Sequence, residues 1–233
     1  MSNQVDRARR LATEALAAAA NPEKAVEMRA YMKSDMAFYG VQKPGRTPIL
    51  RVLIDGFPPG DREEYDAMVL GLWDLPHREE KYLALGVARA HRRFIAPGSL
   101  PLYQRLIVEG AWWDLVDEVA THLIRDLVVG YPAESWPVVD GWVDHEDMWL
   151  RRTAIICQVG ARDRTDALRL FEFCSRRSHE REFFIRKAIG WALRDYARTD
   201  PEAVAEFVGA NRDKLSPLSF REATKHIGHL VAS

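Results

Sequence analysis

The chain has 233 residues, 47% of them apolar and 29% charged, enough to bury a sizeable core and too apolar for intrinsic disorder. Lys plus Arg total 33 against 34 Asp plus Glu, a formal charge of −1, so bulk polybasic attraction to nucleic acid is excluded and any basic surface must be local. No charge-free apolar stretch approaches the roughly 18–20 residues that cross a bilayer, and the N-terminus MSNQVDRARRLATEALAAAA alternates charge with alanine unlike a signal peptide, which predicts a soluble, cytoplasmic protein.

Apolar residues recur at three- and four-residue spacing almost throughout, and strict alternation is nearly absent, so the fold class is all-α. Helices are predicted at about 4–19, 22–33 and 48–55, with VQKPGRTP at 41–48 and DGFPPGD at 55–61 as the strongest breaks. The segment 61–74 opens with acidic residues and then sets Tyr65, Met68, Val69 and Leu72 on one face, as an amphipathic helix does. Further helices read at 78–93, 101–109, 111–129, 134–142, 146–158, 163–175, 181–198, 201–212 and 217–230. Pro48, Pro101, Pro132, Pro201 and Pro217 sit near predicted starts, where a missing amide hydrogen is harmless, and Asp200 and Ser216 stand where N-caps belong. Cys157 and Cys174 each lie in an apolar run, which suits two reduced core thiols.

A weak internal period accompanies these helices. Tyr82, Trp113, Trp149 and Phe184 hold comparable places near helix starts, at spacings of 31, 36 and 35 residues. This predicts an α-solenoid of antiparallel, HEAT-like helix pairs stacked into a curved superhelix with a concave face suited to a long ligand. The 233 residues are then one repeat domain, with 1–56 as an N-terminal helical cap and lead-in segment and 57–233 as the helix-pair repeats.

Three places carry residues that could do chemistry. In AWWDLVDE at 111–118, Trp113 and Asp117 are four apart and share a helix face, while Trp112 and Val116 share another with core-forming Leu115 and Val119. Asp114 and Glu118 suit the positive end of a helix dipole, but Asp117 lies in the second turn, where that help fades. In REFFIRKAIGWALRDYAR at 181–198, Lys187, Trp191, Arg194 and Arg198 form one stripe, which is not a core pattern; the plainer reading is an indole covered by arginine stems. The third is Arg151-Arg152, one of which should approach the groove. Between 146 and 198 there are 12 Lys/Arg against 8 Asp/Glu, so a local excess of four positive charges falls on the stretch that bears this face. His226 with His229 and Asp144-His145-Glu146-Asp147 concentrate ligand types without a complete zinc set, so neither a metal nor a cofactor is expected.

WWDLVD at 112–117, FFIRKAIGWALRDYAR at 183–198 and YMKSDMAFYGVQKPGR at 31–46 together resemble the bacterial alkylpurine DNA glycosylases built from HEAT-like repeats, the AlkD family, over nearly the whole chain. The pairing of WWDxxD with KAIGWxLRxY some seventy residues on is far more specific than a generic helical repeat. The resemblance implies that Asp117 is the catalytic carboxylate and that Trp113 and Trp191 flank the sugar of the lesion. It implies Arg152 and Arg194 as phosphate contacts, with Lys187 and Arg198 on the same stripe, and Tyr31 in a segment that closes over the duplex. The partner it implies is double-stranded DNA containing alkylated purines, bound by a monomer.

The chemistry suits the residue types. An N3- or N7-alkylated purine is a cation whose glycosidic bond is already weakened, so the base leaves without a general acid and only the sugar needs help. A preorganised carboxylate stabilises the oxocarbenium-like transition state and aligns a water, and indole faces attract the growing positive charge. The family resembled leaves the lesion in the duplex, so no deep base pocket is expected. The alternative is a non-catalytic helical-repeat scaffold that binds nucleic acid or protein through the same groove; against it, a pure DNA binder gains nothing from a carboxylate beside phosphates.

Overall fold

In the computed structural model the described residues are 3–231, and among them every regular element is helical apart from one isolated bridge between Ala37 and His77. Among the described residues no helix is long and apolar enough to cross a membrane. The chain divides into two compact units, Met1–Ile95 and Ala96–Ser233.

The first unit holds α1 (Asn3–Ala18), α2 (Pro22–Met32), α3 (Lys43–Gly56), α4 (Arg62–Trp73) and α5 (Arg78–Ala90). Val5, Ala8, Ala12 and Leu16 recur at helical spacing and bury one stripe of α1, whereas α2 buries nothing. Asn21 and Asp61 cap α2 and α4 by accepting from the amides of Lys24 and Glu64. One expectation fails here. Residues 41–48 are not a break: α3 starts at Lys43, because Pro44 takes the first turn where no amide bond is lost, and Pro48 therefore lies inside the helix. The true irregular stretch is 33–42, and buried Glu79 pins its end by accepting from the amides of Tyr39, Gly40 and Val41 at 3.1, 2.8 and 3.0 Å.

The second unit runs through α6 (Leu100–Gly110), α7 (Trp113–Glu118), a π-helical segment (Val119–Ile124) and α8 (Arg125–Gly130), the last three joined without a break. It continues with α9 (Pro132–Trp142), α10 (Met148–Ile156), α11 (Ala167–Arg176), α12 (Phe183–Tyr196), α13 (Pro201–Ala210), α14 (Pro217–Ala223) and α15 (Gly228–Val231). Asp200 and Ser216 do cap α13 and α14, each next to a proline in the first turn, and Asp147 caps α10 through the amides of Trp149 and Leu150. Helix α10 packs on α6, α7, α9, α11 and α12, and α12 packs on α13 and α14. Cys157 and Cys174 are buried free thiols, each pushed far up by desolvation.

Of the four periodic aromatics, Trp149 and Phe184 pack against each other, and their third partner is the residue before Trp113. Trp112, rather than Trp113, meets Trp149 and Phe184, with ring centroids 6.2 Å from the former, 5.5 Å from the latter and 5.0 Å between those two. Trp112 stands in extended conformation just ahead of α7, so it reaches this cluster as the cap residue and not from the face of the helix.

Helices α12 and α14 approach closely because position 190 lacks a side chain. A Cβ on Gly190 would lie 2.4 Å from that of Glu222 and 3.0 Å from the Ser219 carbonyl oxygen. The Ser219 hydroxyl donates to the Arg186 carbonyl at 2.9 Å across the same contact. Gly190→Ala should therefore lower the melting temperature: overpacking costs about 1–3 kcal/mol, which outweighs the ~1 kcal/mol that alanine contributes to an exposed helix. An unchanged or raised melting temperature would show that α14 yields.

Candidate functional site

Asp117 projects from the second turn of α7 and Arg152 from the middle of α10, 35 residues on, and the fold brings them face to face. The Arg152 Nε donates to Oδ1 and its Nη2 to Oδ2, both at 2.8 Å, a bidentate fork. The remaining terminal nitrogen, Nη1, donates to the Phe184 carbonyl oxygen at 2.6 Å, in the first turn of α12. One guanidinium thus joins three helices. Arg152 is only 4% exposed, whereas the Asp117 side chain keeps 17% of its surface. Burial pushes the Asp117 carboxyl above its usual range; the hydrogen bonds and charge of Arg152 pull it back, and Asp114 pushes it up. With both oxygens accepting, the geometry suits the ionised form, and the fork leaves a second lone pair on each oxygen.

Just beyond Asp117 the helix widens into its π-helical segment, and the Thr121 hydroxyl donates to the Asp117 carbonyl at 2.8 Å. Such segments locally re-aim side chains and recur at functional sites. Trp113 begins α7 one turn before Asp117 and is half-buried, on the same face by its four-residue spacing. Trp191, also half-buried, follows Phe184 by seven residues, so it lies on the same stripe of α12, about 10 Å along its axis.

The cations of the second cluster are committed differently from the expectation of a bare basic stripe. The Lys187 Nζ lies 2.9 Å from Glu222 Oε1 on α14, and the Arg194 Nη1 pairs with the other oxygen of the same carboxylate. The Lys187 hydrogen bond, with help from Arg194, holds the Glu222 carboxyl below its ordinary range against the opposing effect of burial. Arg198 lies past the end of α12 and is exposed. Tyr31 is 74% exposed on α2, in the first unit, beside a cavity of about 300 Å³ that it lines with Met28, Met32 and Gln42.

Arg152, expected as a phosphate contact, is buried and paired with Asp117, and Arg151 is likewise held, by Glu180 and the carbonyls of His145 and Glu146. The local basic excess is also largely absorbed, because Arg169 pairs with Asp140 and Asp166, and Arg176 and Arg177 both pair with Asp144. Glu222 was not among the expected site residues, because the signals in 217–230 were the proline at its start and the His226 and His229 pair, neither of which points to it. Among the described residues no group of three or more His, Cys, Asp or Glu side chains is placed to hold a metal.

A family model described as DNA alkylation repair enzyme matches residues 12–227. The chain is also similar to a solved structure described as "Predicted DNA alkylation repair enzyme from Enterococcus faecalis", at 28% identity and a TM-score of 0.83, covering 89% of this chain and 96% of that one. No curated protein matches the sequence.

The Asp117 environment makes a direct prediction. Carbon-detected titration of its side-chain carboxyl should give a midpoint above the ordinary aspartate value, moving higher still in Arg152→Gln, which removes the group that pulls it down. A midpoint below the ordinary value, or no change in the variant, would show that the buried pair does not govern this carboxyl.

Proposed function

Because the chain belongs to the DNA alkylation repair enzyme family, we propose that it is a DNA glycosylase that hydrolyses the N-glycosidic bond of cationic N3- and N7-alkylated purines in duplex DNA. The observation that carries this reading is the Asp117 carboxylate, fixed by Arg152 at 2.8 Å on both oxygens and largely desolvated, on a side chain that is still partly exposed.

Departure of an alkylated base is the departure of a neutral molecule from a cationic one, so the leaving group needs no acid. Positive charge develops on the anomeric carbon and ring oxygen of the sugar. A carboxylate already in place stabilises that charge without reorganising, and in a poorly solvated site it does so more strongly than in water. Asp117 also accepts a proton from the attacking water, a task for which a raised carboxyl is better suited than an ordinary one. The half-buried indoles of Trp113 and Trp191 flank the sugar, offer their negative faces and exclude competing water. Arg152 acts through Asp117 by fixing its rotamer, while Lys187, Arg194 and Arg198 contact phosphate, and Tyr31 contacts the duplex from α2. In this reading the helix pairs are HEAT-like repeats of one domain, acting as a monomer on a lesion that stays in the duplex.

The test separates chemistry from binding. Asp117→Asn is close to isosteric and removes the charge that matters once the bond is breaking, but it leaves Arg152 buried without its anion and should lower the melting temperature; well below that temperature, single-turnover release of methylated purines should fall on the order of 10²–10³-fold while affinity for the lesion duplex holds. Trp113→Phe, which leaves an aromatic face, should lose much less. Since the rate requires the carboxylate, wild-type excision should decline as pH falls through the raised Asp117 value. Uracil and ethenoadenine, whose bonds are not weakened by positive charge, should be released poorly. Full activity in Asp117→Asn or brisk uracil release would overturn this chemistry.

A further inference from the structure

If Lys187 and Arg194 contact DNA phosphates as proposed above, the carboxylate between them has a consequence of its own. They stand at i and i+7 on α12, with Gly190 at i+3, and Glu222 of α14 enters the space that the glycine leaves empty. Its Oε1 takes Lys187 at 2.9 Å and its Oε2 takes Arg194, so a single negative charge serves both cations. The three side chains remain partly exposed, at 39% for Lys187, 23% for Arg194 and 20% for Glu222. Ion pairs so placed are weak and exchange readily for a better partner. A duplex phosphate is such a partner, since its contact releases a condensed counterion, but the carboxylate stays nearby and repels it.

We propose that Glu222 is a positioning residue that restrains the DNA-facing cations, holding Lys187 and Arg194 paired in the free protein and releasing them in part to phosphate, so that it weakens the grip on undamaged duplex. The physical case is that the carboxylate is built in, not incidental. It reaches the cations only because Gly190 admits α14, and Ser219, one turn before Glu222, ties the same two helices through the Arg186 carbonyl. Its carboxyl is held below the ordinary range by both partners, so it stays charged wherever the protein would act. A repair protein that must inspect many undamaged sites for each lesion gains from a grip that releases.

The test is equilibrium binding of the full chain to a short undamaged duplex across a salt series, by fluorescence anisotropy. Glu222→Gln, close to isosteric, should bind about three- to tenfold tighter at low salt, with a salt slope steeper by about 0.9, the equivalent of one more phosphate contact. Glu222→Asp keeps the charge and should keep the wild-type slope. Binding by Glu222→Gln equal to or weaker than wild type, with native melting, overturns the proposal, and so does a steepened slope in Glu222→Asp, because packing and not charge would then be the cause. Lys187→Gln and Arg194→Gln locate any failure: weaker binding with shallower slopes upholds the surface on which the proposal rests, whereas wild-type slopes in both overturn that surface and the proposal with it.

Discussion

The bidentate pair between Arg152 and Asp117 ties three helices of the second unit to one another. A guanidinium in that position is almost out of water, and its burial is tolerable only because Asp117 takes two of its donors and the Phe184 carbonyl a third. Those partners come from α7 and α12, and Arg152 itself from α10, so the three helices are fixed in register by one side chain. Beside it, Trp112, Trp149 and Phe184 pack edge and face from the starts of the same three helices, and the Arg152 guanidinium lies 5.9 Å from the Phe184 ring centre. Polar fork and aromatic cluster support each other. Removing one member of such a pair typically costs about 3–5 kcal/mol, because the charge left behind stays buried.

The same pair sets the electrostatic character of Asp117. Desolvation lifts its carboxyl, and Arg152 opposes the lift without abolishing it. The result is a carboxylate held in one rotamer, more basic than an ordinary aspartate, on a partly exposed side chain. The other cations follow a related pattern: with Arg152 included, seven of the twelve Lys and Arg residues between 146 and 198 pair with a carboxylate. Any anion that approaches Lys187 or Arg194 must compete with the Glu222 carboxylate already paired with both.

Much of this was legible in the amino-acid sequence. Helical periodicity placed nearly every helix, Asp200 and Ser216 cap as their positions beside prolines suggested, and the four-residue spacing of Trp113 and Asp117 was correct as a local statement. The failures have separate causes. Pro48 lies inside α3 because Pro44 competes for the helix start, and rules about single residues do not rank two candidates. The π-helical turn at 119–124 leaves no mark in apolar spacing. Arg152 with Asp117 is separated by 35 residues, and Glu222 lies 35 from Lys187 and 28 from Arg194, distances at which partner choice is decided by tertiary packing. Arg152 and Arg194 could each be singled out as notable from sequence, but not which anion each would meet.

The central claim is that this chain breaks the glycosidic bond of a cationic purine. The most direct measurement is to incubate the purified protein with duplex DNA carrying one N7-methylguanine and to quantify both free base and abasic site. The account predicts that the two appear together in equal amounts, without added metal or cofactor. Stable binding of the lesion duplex with neither product formed would contradict it and leave the chain a DNA-binding scaffold.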